Sequence, residues 1–284
     1  MSFPAIIRDQ MRLSHRPVPA RLPGCVHADR IIELARDAFL FTTPRGTRFH
    51  YQRGQGVAVE QAATGSDLET DLFYNGTVYG GVAWLNGLVP LHASSVARSG
   101  RIIAFTGESG EGKSTLAAAL ARHGFGHRSD DVLLVEPTDD SIRAWPDRDR
   151  IKLWDDAIDM VQARRQAEIE PGSGKFFAEI DQFGGQAATL SADGPLPLTD
   201  LIVLQTIAEG EPNLQPCTGS AKIPQLLKAM YRIEIPAHLN DGASYTAALK
   251  RLGTGVRVWT LNRQRDRSMF DNDICRIAQR LNTL

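Results

Sequence analysis

Eight consecutive residues carry the clearest chemical signal in this chain: Gly107, Glu108, Ser109, Gly110, Glu111, Gly112, Lys113 and Ser114. They fit the pattern G-x-x-x-x-G-K-[ST] in full. Glycines at those positions let the backbone curl so that several N–H groups point inward. Together with the N-terminus of a following helix, those N–H groups make a nest for anions. Lys113 is then placed to reach the β- and γ-phosphates of a nucleotide. The Ser114 hydroxyl is placed to ligate Mg²⁺, with Thr115 as its neighbour. The ligand these residues predict is ATP or a close relative, bound with Mg²⁺.

A second signal is the pair Asp130 and Asp131. Two adjacent carboxylates beside a metal can divide the work of phosphoryl transfer: one holds the ion, the other takes a proton from an attacking hydroxyl. Ordinary P-loop ATPases carry their magnesium-linked acid at the end of an apolar strand. Here the apolar run, Val132, Leu133, Leu134 and Val135, follows the acids. His92 heads the strand that precedes the Gly-rich stretch; a lone histidine is more often structural than catalytic. Arg150, Lys152 and Lys175 are candidate sources of charge for a transition state, or ordinary surface cations.

These residues need elements to position them. Residues 93–97 and 101–106 read as a hairpin with its turn at 98–100. The second strand feeds the Gly-rich loop, and an Ala- and Leu-rich helix over 114–123 follows, with Gly124 as its stop. Further strands are expected at 132–136, 201–205 and 256–262, and helices at 154–167, 223–231 and 272–282. Before them, residues 26–89 read as a small mixed module. It has a helix-like pattern at 31–38, short strands at 39–43, 47–52 and 57–60, and a helix within 67–85. Residues 1–24 are Pro- and Arg-rich and read as an arm or irregular start. Residues 169–194 are long for a structureless connection and suit either a lid or a plain surface loop. Strands and helices mix throughout, so the class is α/β. The expected domains are a small α+β module at 1–90 and a P-loop domain at 91–284.

Composition narrows the partners. The 284 residues include 32 Lys and Arg against 33 Asp and Glu, a formal net charge of −1, so no global basic field exists to hold nucleic acid or an anionic membrane. Hydrophobic residues make up 42%, enough for a buried core. Cys25, Cys217 and Cys275 are far apart and form no metal-binding pair; they read as small buried thiols in a reducing compartment. The N-terminus has no apolar signal region, and no stretch reaches the roughly 20 apolar residues of a membrane span. The cytosol is the expected location.

The run from His92 through the Gly-rich loop to Asp131 resembles the C-terminal catalytic domain of bacterial HPr kinase/phosphorylase. In that family a histidine precedes the loop strand, the loop reads GESGxGKS, and an Asp pair follows the helix. The close match covers roughly residues 91–136. The stretch after it resembles short relatives that lack the large N-terminal domain; some of these phosphorylate a serine of a lasso-peptide precursor. The resemblance implies a P-loop domain related to phosphoenolpyruvate carboxykinase, with a mixed sheet. It implies Lys113 on the β- and γ-phosphates, Ser114 and Asp131 on Mg²⁺, Asp130 as general base and His92 near the phosphates. No E-[IV]-R-G run follows the Asp pair, which argues against HPr itself as substrate and against dephosphorylation.

The resulting expectation is an ATP- and Mg²⁺-dependent kinase acting on a serine of a peptide or small protein, with a homo-oligomer left open. Its rivals are a small-molecule kinase of the same fold and a non-catalytic module that senses nucleotide.

Overall fold

A computed structural model of the chain describes residues 3–147, 151–169, 172–179, 194–239 and 242–284. The architecture is mixed α/β with several sheets. By internal contacts the chain divides into two compact units: Met1–Pro90 with Met230–Leu249, and Leu91–Ala229 with Lys250–Leu284.

The first unit is built on a six-stranded sheet of β1 (Leu13–His15), β2 (His27–Ala28), β3 (Ile32–Ala35), β4 (Ala38–Thr42), β5 (Arg48–Gln52) and β6 (Gly56–Glu60). The order is β1-β6-β5-β4-β3-β2. Along β5 the side chains alternate, and Phe49 and Tyr51 are buried while their neighbours are partly exposed. Register places Phe39 opposite Tyr51 and Phe41 opposite Phe49, which makes these rings the sheet's core. Helix α1 (Asp67–Phe73) starts where the Ser66 side chain accepts from the Glu69 backbone N–H, and Asp67 and Glu69 sit in its first turn. It runs through a π-helical segment, Tyr74–Val78, into α2 (Tyr79–Leu85).

Two expectations fail here. Residues 31–38 form no helix; they make the β3–β4 hairpin, because pairing of Leu34 with Phe39 buries both apolar side chains, which a lone short helix would not. Of the two readings of the N-terminal stretch the arm fails and the irregular start holds: its backbone is mostly turns and bends, but Ile7 and Met11 are buried and β1 pairs in parallel with β6.

The chain leaves the first unit through β7 (Val89–Leu91). The second unit holds β8 (Ser94–Arg98), β9 (Arg101–Thr106), α3 (Lys113–Ala121), β10 (Gly126–Ser129), β11 (Leu133–Pro137) and β12 (Ile142–Ala144). It continues with β13 (Ile151–Trp154), α4 (Asp155–Val161), β14 (Arg164–Glu168), β15 (Lys175–Glu179), β16 (Leu196–Thr206), β17 (Asn213–Cys217) and α5 (Lys222–Ala229). Helix α6 (Glu234–His238) and the first part of α7 (Gly242–Gly255) belong to the first unit; the rest of α7, β18 (Arg257–Arg263) and α8 (Phe270–Asn282) complete the second. The main sheet runs β10-β8-β9-β16-β18-β17. Its heart is three parallel strands, β9, β16 and β18. Ser99 and Gly100, both at positive φ, close the tight β8–β9 hairpin.

At the start of the parallel strands lies a fully buried charge, Asp200. Arg101, Arg257 and the Trp259 indole each donate to it at 2.8 Å, so its charge is compensated and the three strands are fixed in register. Helix α3 is apolar nearly all round. Its Leu116, Ala117, Ala118, Ala119 and Leu120 are buried, and the small alanines let β8, β13, α4 and α8 pack against it.

The helix expected over 154–167 is shorter. Gln162, at φ +55°, ends α4, and Arg164–Glu168 pairs instead with β15. Within 169–194, residues Lys175–Glu179 are the middle strand of the sheet β13-β15-β14. Residues 170, 171 and 180–193 of that segment, and Arg150, lie outside the described residues. Among the described residues no helix is long and apolar enough to cross a membrane.

Candidate functional site

The site lies at the C-terminal ends of β9, β16 and β18, where ligands collect on parallel sheets. Leaving Thr106, the chain turns through the Gly-rich loop and enters α3 at Lys113. Gly107, Gly110 and Gly112 take φ of +147°, +89° and +78°. The ends of the two neighbouring strands brace the loop. The Thr206 hydroxyl donates to the Glu111 carboxylate at 2.7 Å. Arg263, almost fully buried, donates through Nη2 to the Glu111 carbonyl at 2.8 Å. Burial pulls the Arg263 pKa down to about 10, with Arg265 adding to the effect, so the guanidinium stays charged at neutral pH. Lys113 curls over the loop, and its Nζ donates to the carbonyls of Gly107 at 2.9 Å and Glu108 at 3.1 Å. Burial lowers the Lys113 pKa, and the nearby Asp131 and Asp130 partly restore it.

The acids follow β10. Asp130 is held on both oxygens. Its Oδ1 accepts from Ser114 at 2.7 Å and from Ser94 at 2.6 Å, and its Oδ2 accepts from the Lys152 backbone N–H at 2.8 Å. Asp131 points elsewhere, because its backbone takes the left-handed region at φ +74°. That conformation is costly for a non-glycine residue, on the order of 1 kcal/mol or more, and such residues cluster at functional sites. Its Oδ2 meets Lys152 Nζ at 2.7 Å, and its Oδ1 lies 3.5 Å from His92 Nδ1. Burial pushes the Asp131 carboxyl up, but the Lys152 charge and hydrogen bond, followed by His92, outweigh it and leave the group below the ordinary carboxylate range.

The His92 ring nitrogen Nδ1 is also 3.0 Å from the Asp131 carbonyl oxygen. An oxygen can only accept, so the proton in that contact sits on Nδ1. Burial, reinforced by Lys113, lowers the His92 pKa and favours the neutral ring.

These groups face one cavity of about 530 Å³. Ser109, Gly110, Gly112, Lys113, Ser114 and Thr115 line it from the loop and α3; His92, Asp130 and Asp131 line it from the acid side. Gly107, Glu108 and Glu111 shape the loop from behind through the bonds just described. Lys152 and Lys175 reach the cavity as well. The Ser114 hydroxyl thus bonds to Asp130, while Asp131 faces Lys152 and His92.

Sequence reading missed Ser94, Arg263 and the cavity wall contributed by α4 and α8. Ser94 is an ordinary strand serine and gave no signal. Arg263 had one: with Arg265 and Arg267 it forms a basic cluster just past an apolar strand, the position where a parallel sheet presents ligand-binding groups.

No protein-family model matches the chain, and a comparison with curated proteins finds no match. Among solved structures, the chain is similar to the HPr(Ser) kinase/phosphatase from Coxiella burnetii. Identity is 12%, the alignment covers 68% of this chain and 97% of that one, and the TM-score is 0.34. A likeness of that degree decides nothing about activity.

Proposed function

We propose that the second unit is a nucleotide-dependent phosphotransferase, related to the P-loop kinases, that moves the γ-phosphate of ATP to a serine hydroxyl of a peptide or small protein. The observation that carries this reading is the 2.7 Å bond between Ser114 Oγ and Asp130 Oδ1 at the mouth of the Gly-rich loop. A hydroxyl and a carboxylate so joined, one residue past the phosphate-binding lysine, are the protein share of a magnesium site in P-loop enzymes. Among the described residues no cluster of three or more His, Cys, Asp or Glu side chains could hold a metal by itself. Magnesium suits that donor set, because it commonly takes one or two protein oxygens and completes its shell with phosphates and water. Bound there, it would draw negative charge from the β- and γ-phosphates.

The residues then divide the work. Lys113 leaves its loop carbonyls for the phosphate oxygens. The loop N–H groups hold the phosphates in line. Asp130, with both oxygens engaged, serves as a rigid anchor beside Ser114. Asp131 has its side chain 37% exposed to the cavity and is the carboxylate an acceptor hydroxyl can approach. The serine oxygen forms its bond to the γ-phosphorus, the bond from phosphorus to the bridging oxygen of ADP breaks, and the serine proton passes to Asp131. Lys152 holds Asp131 in place, and Lys175 adds positive charge near the transferring group. A loose transition state needs little proton transfer early, so a weakly basic Asp131 is adequate.

The roles given to the two acids are thus exchanged relative to those implied by the resemblance, and the exchange is testable. A transfer assay with γ-labelled ATP and a serine-containing peptide should show label on serine. Asp131→Asn should lose transfer by about 100-fold or more while retaining Mg²⁺-dependent nucleotide binding. Asp130→Asn should lose the Mg²⁺ dependence of binding itself. If Asp130→Asn binds Mg·ATP normally and only Asp131→Asn transfers phosphate, the exchange is wrong. Binding without transfer to any peptide would remove the kinase reading and leave a nucleotide sensor.

A further inference from the structure

The cavity extends beyond the place where phosphates would sit. In the sheet order, the acids after β10 and the residues of β8 lie on one side of β9, and β18 with its following loop lies on the other. On that far side the wall is made by Met160 of α4, by Gln264 and Arg265 of the loop, and by Phe270, Asp273 and Ile274 of α8.

Asp273 is the anomaly there. Only 6% of it is exposed, it lines the cavity, and its Oδ1 has no hydrogen-bond partner. Burial raises its pKa, and the charges of Arg276 and Arg263 offset that in part. A buried carboxylate oxygen without a partner is costly, and natural proteins satisfy nearly all such atoms. The neighbouring Arg263 makes no hydrogen bond to that oxygen; its Nη2 donates to the loop carbonyls of Glu111 and Gly112.

We propose that Asp273 binds the nucleoside of the phosphate donor, its Oδ1 accepting a hydrogen bond from a ribose hydroxyl or a base amino group, between the apolar surfaces of Met160, Phe270 and Ile274. The inference rests on the nucleotide reading of the Gly-rich loop. With the terminal phosphate at Ser114 and Asp130, the rest of the nucleotide must leave the loop away from the acids, because the acceptor needs the acid side. A wall that offers the apolar surfaces of Met160, Phe270 and Ile274 together with one unsatisfied acceptor suits a base and ribose.

Equilibrium binding to the full chain with Mg²⁺ tests this, comparing wild type with Asp273→Asn. The probes are ATP, GTP and inorganic tripolyphosphate. To these are added the 2′-deoxy and 3′-deoxy forms of the preferred nucleotide and the form lacking its base amino group. Asp273→Asn should weaken the preferred nucleotide by about tenfold or more and leave tripolyphosphate unchanged. The analogue lacking the Asp273 partner should bind wild type more weakly but the mutant no more weakly than its parent; which analogue it is tells ribose from base. Without ligand, Asp273→Asn should melt at a higher temperature, since it removes a buried charge that has one oxygen without a hydrogen-bond partner. Equal nucleotide affinity in both proteins overturns the inference, as does a wild type that binds nucleotide no better than tripolyphosphate; both leave the phosphate loop standing. A mutant that melts lower and loses tripolyphosphate as well makes Asp273 structural and overturns it too. A wild type that binds none of the probes overturns the nucleotide reading and this inference together.

Discussion

At the scale of the residue, Gly112 shows how tightly the loop is specified. It is the last residue before α3, at φ +78°, and a Cβ built on it would lie 2.6 Å from the Arg263 guanidinium. Alanine there meets two obstacles, a left-handed backbone and a buried charged neighbour that braces the same turn. Gly112→Ala should cost about 2 kcal/mol of stability by denaturant unfolding, and calorimetry should show nucleotide binding lost through displacement of Arg263. A variant that binds normally would mean that the loop does not need this geometry. The glycines, Lys113 and Ser114 were legible in the sequence because a short motif must keep its spacing. Which Asp faces Ser114 was not legible. It depends on the positive φ of Asp131, and adjacent identical side chains say nothing about backbone sign. Asp273 was illegible for a related reason: an acid in the first turn of a helix is ordinary, and only burial makes it unusual.

Elements decide what those residues can do, and β13 is the plainest case. Ile151 and Leu153 are buried, which locks the strand against β15. Lys152 between them reaches the site with both its parts: the backbone N–H holds Asp130 and the side chain holds Asp131. Lys152→Met keeps the first contact and deletes the second. It should leave nucleotide affinity unchanged and lower the transfer rate about tenfold or more, a fall in kcat without a rise in KM for ATP. A matching rise in KM would place Lys152 on the nucleotide instead. Element reading from sequence worked where strong local signals agreed: the β8–β9 hairpin, the Ala-rich α3, the strand 201–205 inside β16 and the last helix. It failed at 31–38 and beyond Val161, where short segments could satisfy either period and pairing with a distant strand settled the matter.

At the scale of the whole molecule, the path of the chain matters more than the boundary near residue 90. After 139 residues of the second unit, Leu91–Ala229, the chain returns to the first for Met230–Leu249 and only then completes the second with Lys250–Leu284. The returning segment is well tied within its unit. The Trp84 indole donates to the Tyr231 carbonyl at 2.8 Å, the Tyr231 N–H donates to the Pro90 carbonyl at 2.8 Å, and Arg232 donates to the Thr77 hydroxyl at 2.5 Å. Met230 and Ile235 are buried. No hydrophobic pattern reveals such an excursion, since α6 and α7 read locally like any other helices. A fragment beginning at Leu91 keeps every residue of the phosphate site but strips the returning segment of these partners and exposes its apolar side chains. It should therefore be less soluble than the full chain, melt at a lower temperature, and bind nucleotide only to the extent that it folds, as size-exclusion chromatography and thermal unfolding with and without Mg·ATP would report. A monodisperse fragment with the melting temperature of the full chain would mean that the returning segment contributes nothing to the fold that carries the site.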